Sequence, residues 1–145
     1  MNDLRAKLFV ALALAGLAIA SYIVYEQATG SFTSCTISAT ISCQGVFASG
    51  RTSIFGVPFA YLGLGWFVLV LGAGLLSTRW VTGPIRDPAS LFYFLMIGNA
   101  FTVYLWYVQL ALIGVVCPLC ASSYAVNYAL TLIALWSAAR REPPP

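Results

Sequence analysis

The sequence predicts an all-α membrane protein: a bundle of four transmembrane helices under an outer cap made of a loop and one short helix. Three observations lead there. Hydrophobic residues are 61% of the 145 and charged residues only 8%, against about a quarter charged in an ordinary soluble domain. The apolar residues gather into four stretches long enough to cross a bilayer, which takes about 20 residues at 1.5 Å each. One segment, 27–56, is instead Ser/Thr-rich, too polar to span and too long for a tight turn.

The first span is 7–25, behind Arg5 and Lys7. It exceeds the apolar core of a signal peptide, and no clear small-residue cleavage site follows it. Glu26, Gln27 and Gly30 end it, which leaves no carboxylate or histidine inside any span. The cap, 27–56, holds Cys35, Cys43 and Arg51. Within it Ser42 is placed to N-cap a short helix reaching Phe47 or Ser49, with Gly50 as the stop. That helix carries Cys43, and Val46 and Phe47 share its face toward the bundle mouth or the membrane interface. The second span, 57–77, opens at Pro58, and its glycines at 63, 65, 72 and 74 allow close helix approach. A loop with Arg79, Arg86 and Asp87 leads to a third span, 91–113, and then a very short turn to Cys117. The fourth span, 118–139, starts at Pro118. Residues 1–139 thus form one transmembrane domain, and 140–145 a disordered tail.

Six basic residues, at 5, 7, 79, 86, 140 and 141, fall on one side of these spans and Arg51 alone on the other. Positive charge stays inside, so both termini are expected in the cytoplasm and all four cysteines toward the outer face of the cytoplasmic membrane. Disulfides persist there. The net charge of +3 is scattered near the ends of apolar runs, with no basic stripe for nucleic acid. The absence of histidine removes the commonest proton shuttle and the commonest transition-metal ligand.

The chemistry centres on Cys117-Pro118-Leu119-Cys120. A helix starting at Pro118 aims its positive end at both sulfurs and favours thiolate. As half of a zinc site the pair lacks its complement, because Cys35 and Cys43 are eight apart and no histidine completes the set. As a purely structural disulfide it closes too small a ring to stabilise much. Redox use is favoured over both. Further along the helix, Cys117, Cys120, Tyr124, Asn127 and Thr131 follow spacings of three or four and form one polar stripe toward the bundle interior. Asn127 and Thr131 read as interhelical hydrogen-bonding residues. Tyr124, one turn below Cys120, is placed to donate to a ligand beside that sulfur.

Several features together resemble the vitamin K epoxide reductase family, in particular its quinone-reducing bacterial and archaeal members. They are Cys35 with Cys43 eight residues on, Ser49 six further, Ile54-Phe55-Gly56-Val57-Pro58 opening the second span, and the C-P-L-C with Tyr124 four after it. The resemblance implies a four-helix bundle around a quinone, ubiquinone or menaquinone. Cys120 would react with the quinone, Cys117 would resolve it, and Cys43 and Cys35 would form the shuttle pair. Ser49 corresponds to a serine or threonine near the active site, and Phe55 and Tyr124 to quinone-contacting positions. Vertebrate members have asparagine where this chain has Thr52, which favours a quinone over vitamin K epoxide as substrate. The resemblance also implies a separate thioredoxin-fold, DsbA-like partner, since the chain stops at Pro145. The competing classes are a cysteine-based metal-ion transporter and a structural membrane subunit with ordinary disulfides.

Overall fold

The computed structural model describes residues 3–79 and 88–140. Helix α1 spans Asp3–Thr29 and α2 spans Cys43–Ala48. The strands β1 (Ser53–Ile54) and β2 (Val57–Pro58) form a small antiparallel hairpin. Helices α3 (Phe59–Arg79), α4 (Pro88–Tyr107) and α5 (Pro118–Ala139) complete the order. Between α4 and α5 the winding widens into a π-helical segment, Val108–Ile113. Four of the described helices are long and apolar enough to cross a membrane: Leu4–Thr29, Phe59–Leu76, Ala89–Ile113 and Pro118–Ala139. The expected loop around Arg86 and the expected tail from 141 lie outside the described residues.

The bundle is apolar on its outside, and its apolar core, with Phe9, Val70, Leu91, Leu95 and Leu130 fully buried, also encloses a few polar side chains. Leu69 and Ile97 are well exposed on the outer faces of α3 and α4, whereas Gln109, Asn127 and Thr131 are buried. Lipid accepts the leucines without cost, but every buried polar group needs a partner from a neighbouring helix. Asn127 finds several. Trp66 Nε1 of α3 donates to its Oδ1 at 3.0 Å, and its Nδ2 donates to Asn99 Oδ1 of α4 at 2.7 Å. Asn99 Nδ2 in turn donates to Thr131 Oγ1 at 2.9 Å. Asn127 and Thr131 therefore do what the sequence suggested, tying three helices together.

Close packing comes from aromatic rings lying over glycines. The Phe67 ring occupies the space a Cβ on Gly16 would need, the Phe9 ring does so at Gly74, and the Trp66 ring at Gly98. Among the four glycines singled out from the sequence, only Gly74 works this way. Gly63, Gly65 and Gly72 have open space beside them, because composition marks small residues but not which helix face they occupy. At the end of the bundle away from the cap, Arg5 and Arg140 both lie over the Trp136 ring, 4.2 and 5.1 Å from its centroid. This places the start of α1 and the end of α5 together.

One boundary differs with consequence. Helix α1 continues through Glu26 to Thr29 before Gly30, at φ +68°, stops it. Glu, Gln and Ala are all good helix formers, so nothing at 26 ends the helix. Glu26 is buried, with Tyr22 Oη donating to its Oε1 at 2.8 Å. A carboxylate does lie inside a span.

Replacing Gly16 by Leu must displace the Phe67 ring and should destabilise the bundle by about 1–3 kcal/mol. Gly72→Ala, with open space beside it, should leave stability unchanged or slightly raised. Denaturant unfolding of the two variants in the same detergent checks the contrast.

Candidate active site

The cap is built so that the first turn of α2 delivers Cys43 to the head of α5. After Gly30 a 3₁₀ turn, Phe32–Cys35, lays Phe32 on Phe47 with ring centroids 5.1 Å apart. The chain doubles back, with the N–H groups of Ile37 and Ser38 both bonded to the Ile41 carbonyl. Ser42 caps α2 by accepting from the Gly45 N–H at 3.1 Å, as its hydroxyl allows. Cys35 and Cys43 meet across this loop as a disulfide, Cα atoms 5.5 Å apart. Two backbone bonds then stitch the loop to the residue before Cys117: Val116 N–H to the Thr40 carbonyl at 2.9 Å, and Ser42 N–H to the Val116 carbonyl at 3.0 Å. The residues following the stitch on each strand are Cys43 and Cys117. Their sulfurs stand 2.9 Å apart.

Cys117 and Cys120 are free thiols, both buried. Cys117 is the N-cap of α5, its sulfur accepting the Cys120 N–H at 3.2 Å, with Pro118 opening the helix. Its thiol is held below the usual cysteine value, first by a hydrogen bond with the Cys120 side chain. The N–H groups of Cys120 and Leu119 act in the same direction, while burial and the negative charge of Glu26 oppose them. Thiolate at this position is the form that attacks a disulfide. Behind the pair, Gln109 Oε1 accepts the Cys117 N–H at 3.0 Å and Gln109 Nε2 donates to Tyr124 Oη at 2.8 Å. Trp106 packs edge-on against the Tyr124 ring, 5.5 Å between centroids.

Below the sulfurs lies a cavity of about 380 Å³, within the range of roughly 300–1,000 Å³ typical of small-molecule sites. Its walls are mostly apolar and include Val46, Phe47 and Phe59. The few polar groups on it include Cys120, Tyr124, Gln109 and Thr52. Cys35, Cys43 and Cys117 are buried in one cluster with Cys120 and Tyr124.

Two of the residues expected at the site lie elsewhere. Ser49 is exposed at the C-terminal cap of α2, where its hydroxyl donates to the Val46 carbonyl at 2.6 Å. Phe55 is fully exposed at the turn of the β1–β2 hairpin, at φ +52°. The hairpin turns there, so alternate residues point apart: Thr52 reaches the cavity and Phe55 faces out. Conversely, the sequence reading passed over Gln109 and Glu26. A lone amide or carboxylate in an apolar stretch was the available signal, but the π-helical winding that turns Gln109 inward leaves no such mark in the sequence.

Residues 7–135 match the sequence profile of the vitamin K epoxide reductase family. The chain belongs to that family. No curated protein matches the chain. Membership and the four spanning helices make it an integral membrane oxidoreductase of thiol–disulfide chemistry, from a family that uses quinone-type substrates. The sulfurs of Cys35, Cys43 and Cys117 also lie within 4.8 Å of one another. With Cys35 and Cys43 joined to each other, only Cys117 of the three keeps a thiol to offer a metal.

Alkylation of Cys117 in the reduced protein should rise with pH through a midpoint below the ordinary cysteine value of about 8.5, since lowering the pKa keeps thiolate present at more acidic pH. Cys120→Ala removes the largest contribution and should move that midpoint upward. For the cap, Ser49→Ala should loosen α2 and lower thermal stability while leaving ligand affinity of the cavity unchanged, a contrast that melting and binding measured together would show.

Proposed function

We propose that this family member oxidises a separate thioredoxin-fold dithiol partner at the outer membrane face and passes the electrons to a membrane quinone. The observation that carries it is the continuous line of sulfur from the cap disulfide, across 2.9 Å from Cys43 to Cys117, to Cys120 on the cavity wall. A metal transporter or a structural subunit has no need of a thiol facing an apolar cavity of small-molecule size.

In the cycle, both cysteine pairs begin as disulfides. A partner thiolate attacks Cys35, forming a partner–Cys35 disulfide and releasing Cys43 as thiolate. Cys43 attacks Cys117, forming Cys43–Cys117 and releasing Cys120 as thiolate. The partner's second thiol attacks its mixed disulfide, so the partner leaves oxidised and Cys35 is freed. Cys35 attacks Cys43, restoring Cys35–Cys43 and freeing Cys117. The net result is two electrons moved from the partner to the Cys117/Cys120 pair. The pair then closes to its disulfide as quinone takes two electrons and two protons to become quinol. Thr52 and Tyr124 line the space the quinone would occupy. Cys35 is itself buried, so partner attack requires the cap to open around it.

The six-to-one distribution of basic residues supports placing both termini in the cytoplasm, and the pairing of Arg5 with Arg140 around Trp136 puts two of those charges at one end.

Membranes containing the protein should consume added ubiquinone or menaquinone analogue when given a reduced thioredoxin-fold dithiol, and Cys120→Ser should abolish this. No quinone consumption by the unaltered protein with any dithiol donor would rule out the proposal. A partner lacking its resolving cysteine should accumulate as a mixed disulfide with Cys35; a mixed disulfide at Cys117 with Cys35 and Cys43 intact would reverse the order of steps.

A further inference from the structure

Gln109 is buried behind the Cys117/Cys120 pair and makes two hydrogen bonds whose directions are not interchangeable. The backbone N–H of Cys117 can only donate, so the atom facing it at 3.0 Å must be the amide oxygen. The amide nitrogen then faces Tyr124 Oη at 2.8 Å and must donate to it. A phenol oxygen that accepts this bond keeps its own proton for another acceptor. Tyr124 lies on the cavity wall one turn below Cys120, and Trp106 covers its ring from one side.

We infer that Gln109 is a positioning residue that sets the direction of the Tyr124 hydroxyl, holding its proton toward the cavity to donate to a quinone carbonyl oxygen. This rests on the quinone-reducing reading above. The same side chain ties the Cys117 backbone to the phenol, so the sulfur pair and the hydrogen-bond donor are held in one register. The π-helical turn makes the arrangement possible: Gly114, at φ +72°, ends it with its N–H bonded to the Gln109 carbonyl at 2.8 Å, and the side chain of 109 is left facing α5. Such turns in otherwise α-helical segments often accompany functional sites.

The variant that separates this role from packing is Gln109→Glu. A carboxylate still accepts the Cys117 N–H, but it can only accept from Tyr124 and so draws the phenol proton away from the cavity. A protonated carboxyl can donate as the amide does. The ratio of quinone KM between Gln109→Glu and the unaltered protein should therefore climb as pH rises through the carboxyl's titration, toward about fivefold, the size of one lost hydrogen bond. The other titratable groups nearby are Tyr124, Tyr128, Cys120 and Cys117 around α5 and Glu26 from α1; all are present in both proteins, and any shift the new carboxylate imposes on them is separated from the lost hydrogen bond by the Tyr124→Phe background. In a Tyr124→Phe background the same substitution should add nothing. Gln109→Met, which removes both bonds, should raise KM at all pH values. Its fold is checked by retained exchange between Cys43 and Cys117.

The probe is a short-chain ubiquinone analogue with a small dithiol as reductant. A pH-independent ratio, or effects of Gln109→Glu and Tyr124→Phe that multiply, would overturn the inference while leaving quinone reduction standing. An unaltered protein that reduces no quinone would instead overturn the reading beneath it. An unchanged KM in Gln109→Met with exchange intact would also overturn the inference.

Discussion

Two backbone hydrogen bonds between Val116 and the cap loop decide where the chemistry can happen. They work because each leads directly to a cysteine: Ser42 is bonded and Cys43 follows, Val116 is bonded and Cys117 follows. Seventy-four residues of chain separate the two sulfurs, and side-chain flexibility alone would leave their encounter rare. Pairing the backbones beside them converts that encounter into a fixed neighbour relation. The close seating of α2 depends on the same stitch. Gly45 faces the Val115 side chain so closely that even a methyl group there would have to push it by a few tenths of an ångström.

Below the stitch, the site follows from what a membrane interior permits. A cavity open to a lipid-soluble ligand has to be apolar, yet each polar group around it must be satisfied by protein, since no bulk water is present to do so. The chain meets both demands by grouping its polar side chains into two sets. Gln109 and Tyr124 serve the sulfurs at the outer end. Trp66, Asn99, Asn127 and Thr131 fasten the helices deeper in. The second set holds the walls in place, and the first leaves a few directed donors where redox chemistry creates charge.

Much of this was legible in the residues. Apolar length predicts four spanning helices, and the i, i+3, i+4 spacing of Cys117, Cys120, Tyr124, Asn127 and Thr131 predicts a single stripe; all five are buried. Ser42 and Gly50 predict α2 almost to the residue, because capping is local chemistry. Features that depend on long-range geometry were not legible. Nothing local says that Val116 pairs with Thr40 and Ser42, that Gly16 rather than Gly63 receives an aromatic ring, or that a π turn directs Gln109 inward. Ser49 and Phe55 illustrate the same limit, since a residue's place along the chain does not fix which way a capping hydroxyl or a hairpin turn faces.

The hand-off between Cys43 and Cys117 is tested most directly in a protein with Cys35→Ser and Cys120→Ser together, which keeps only those two sulfurs. On mild oxidation in the membrane it should form an intramolecular Cys43–Cys117 disulfide in nearly every molecule, mapped by mass spectrometry of the linked peptides. If both thiols instead stay free to alkylation, or pair only between molecules, the two sulfurs are not neighbours and electrons do not pass between them.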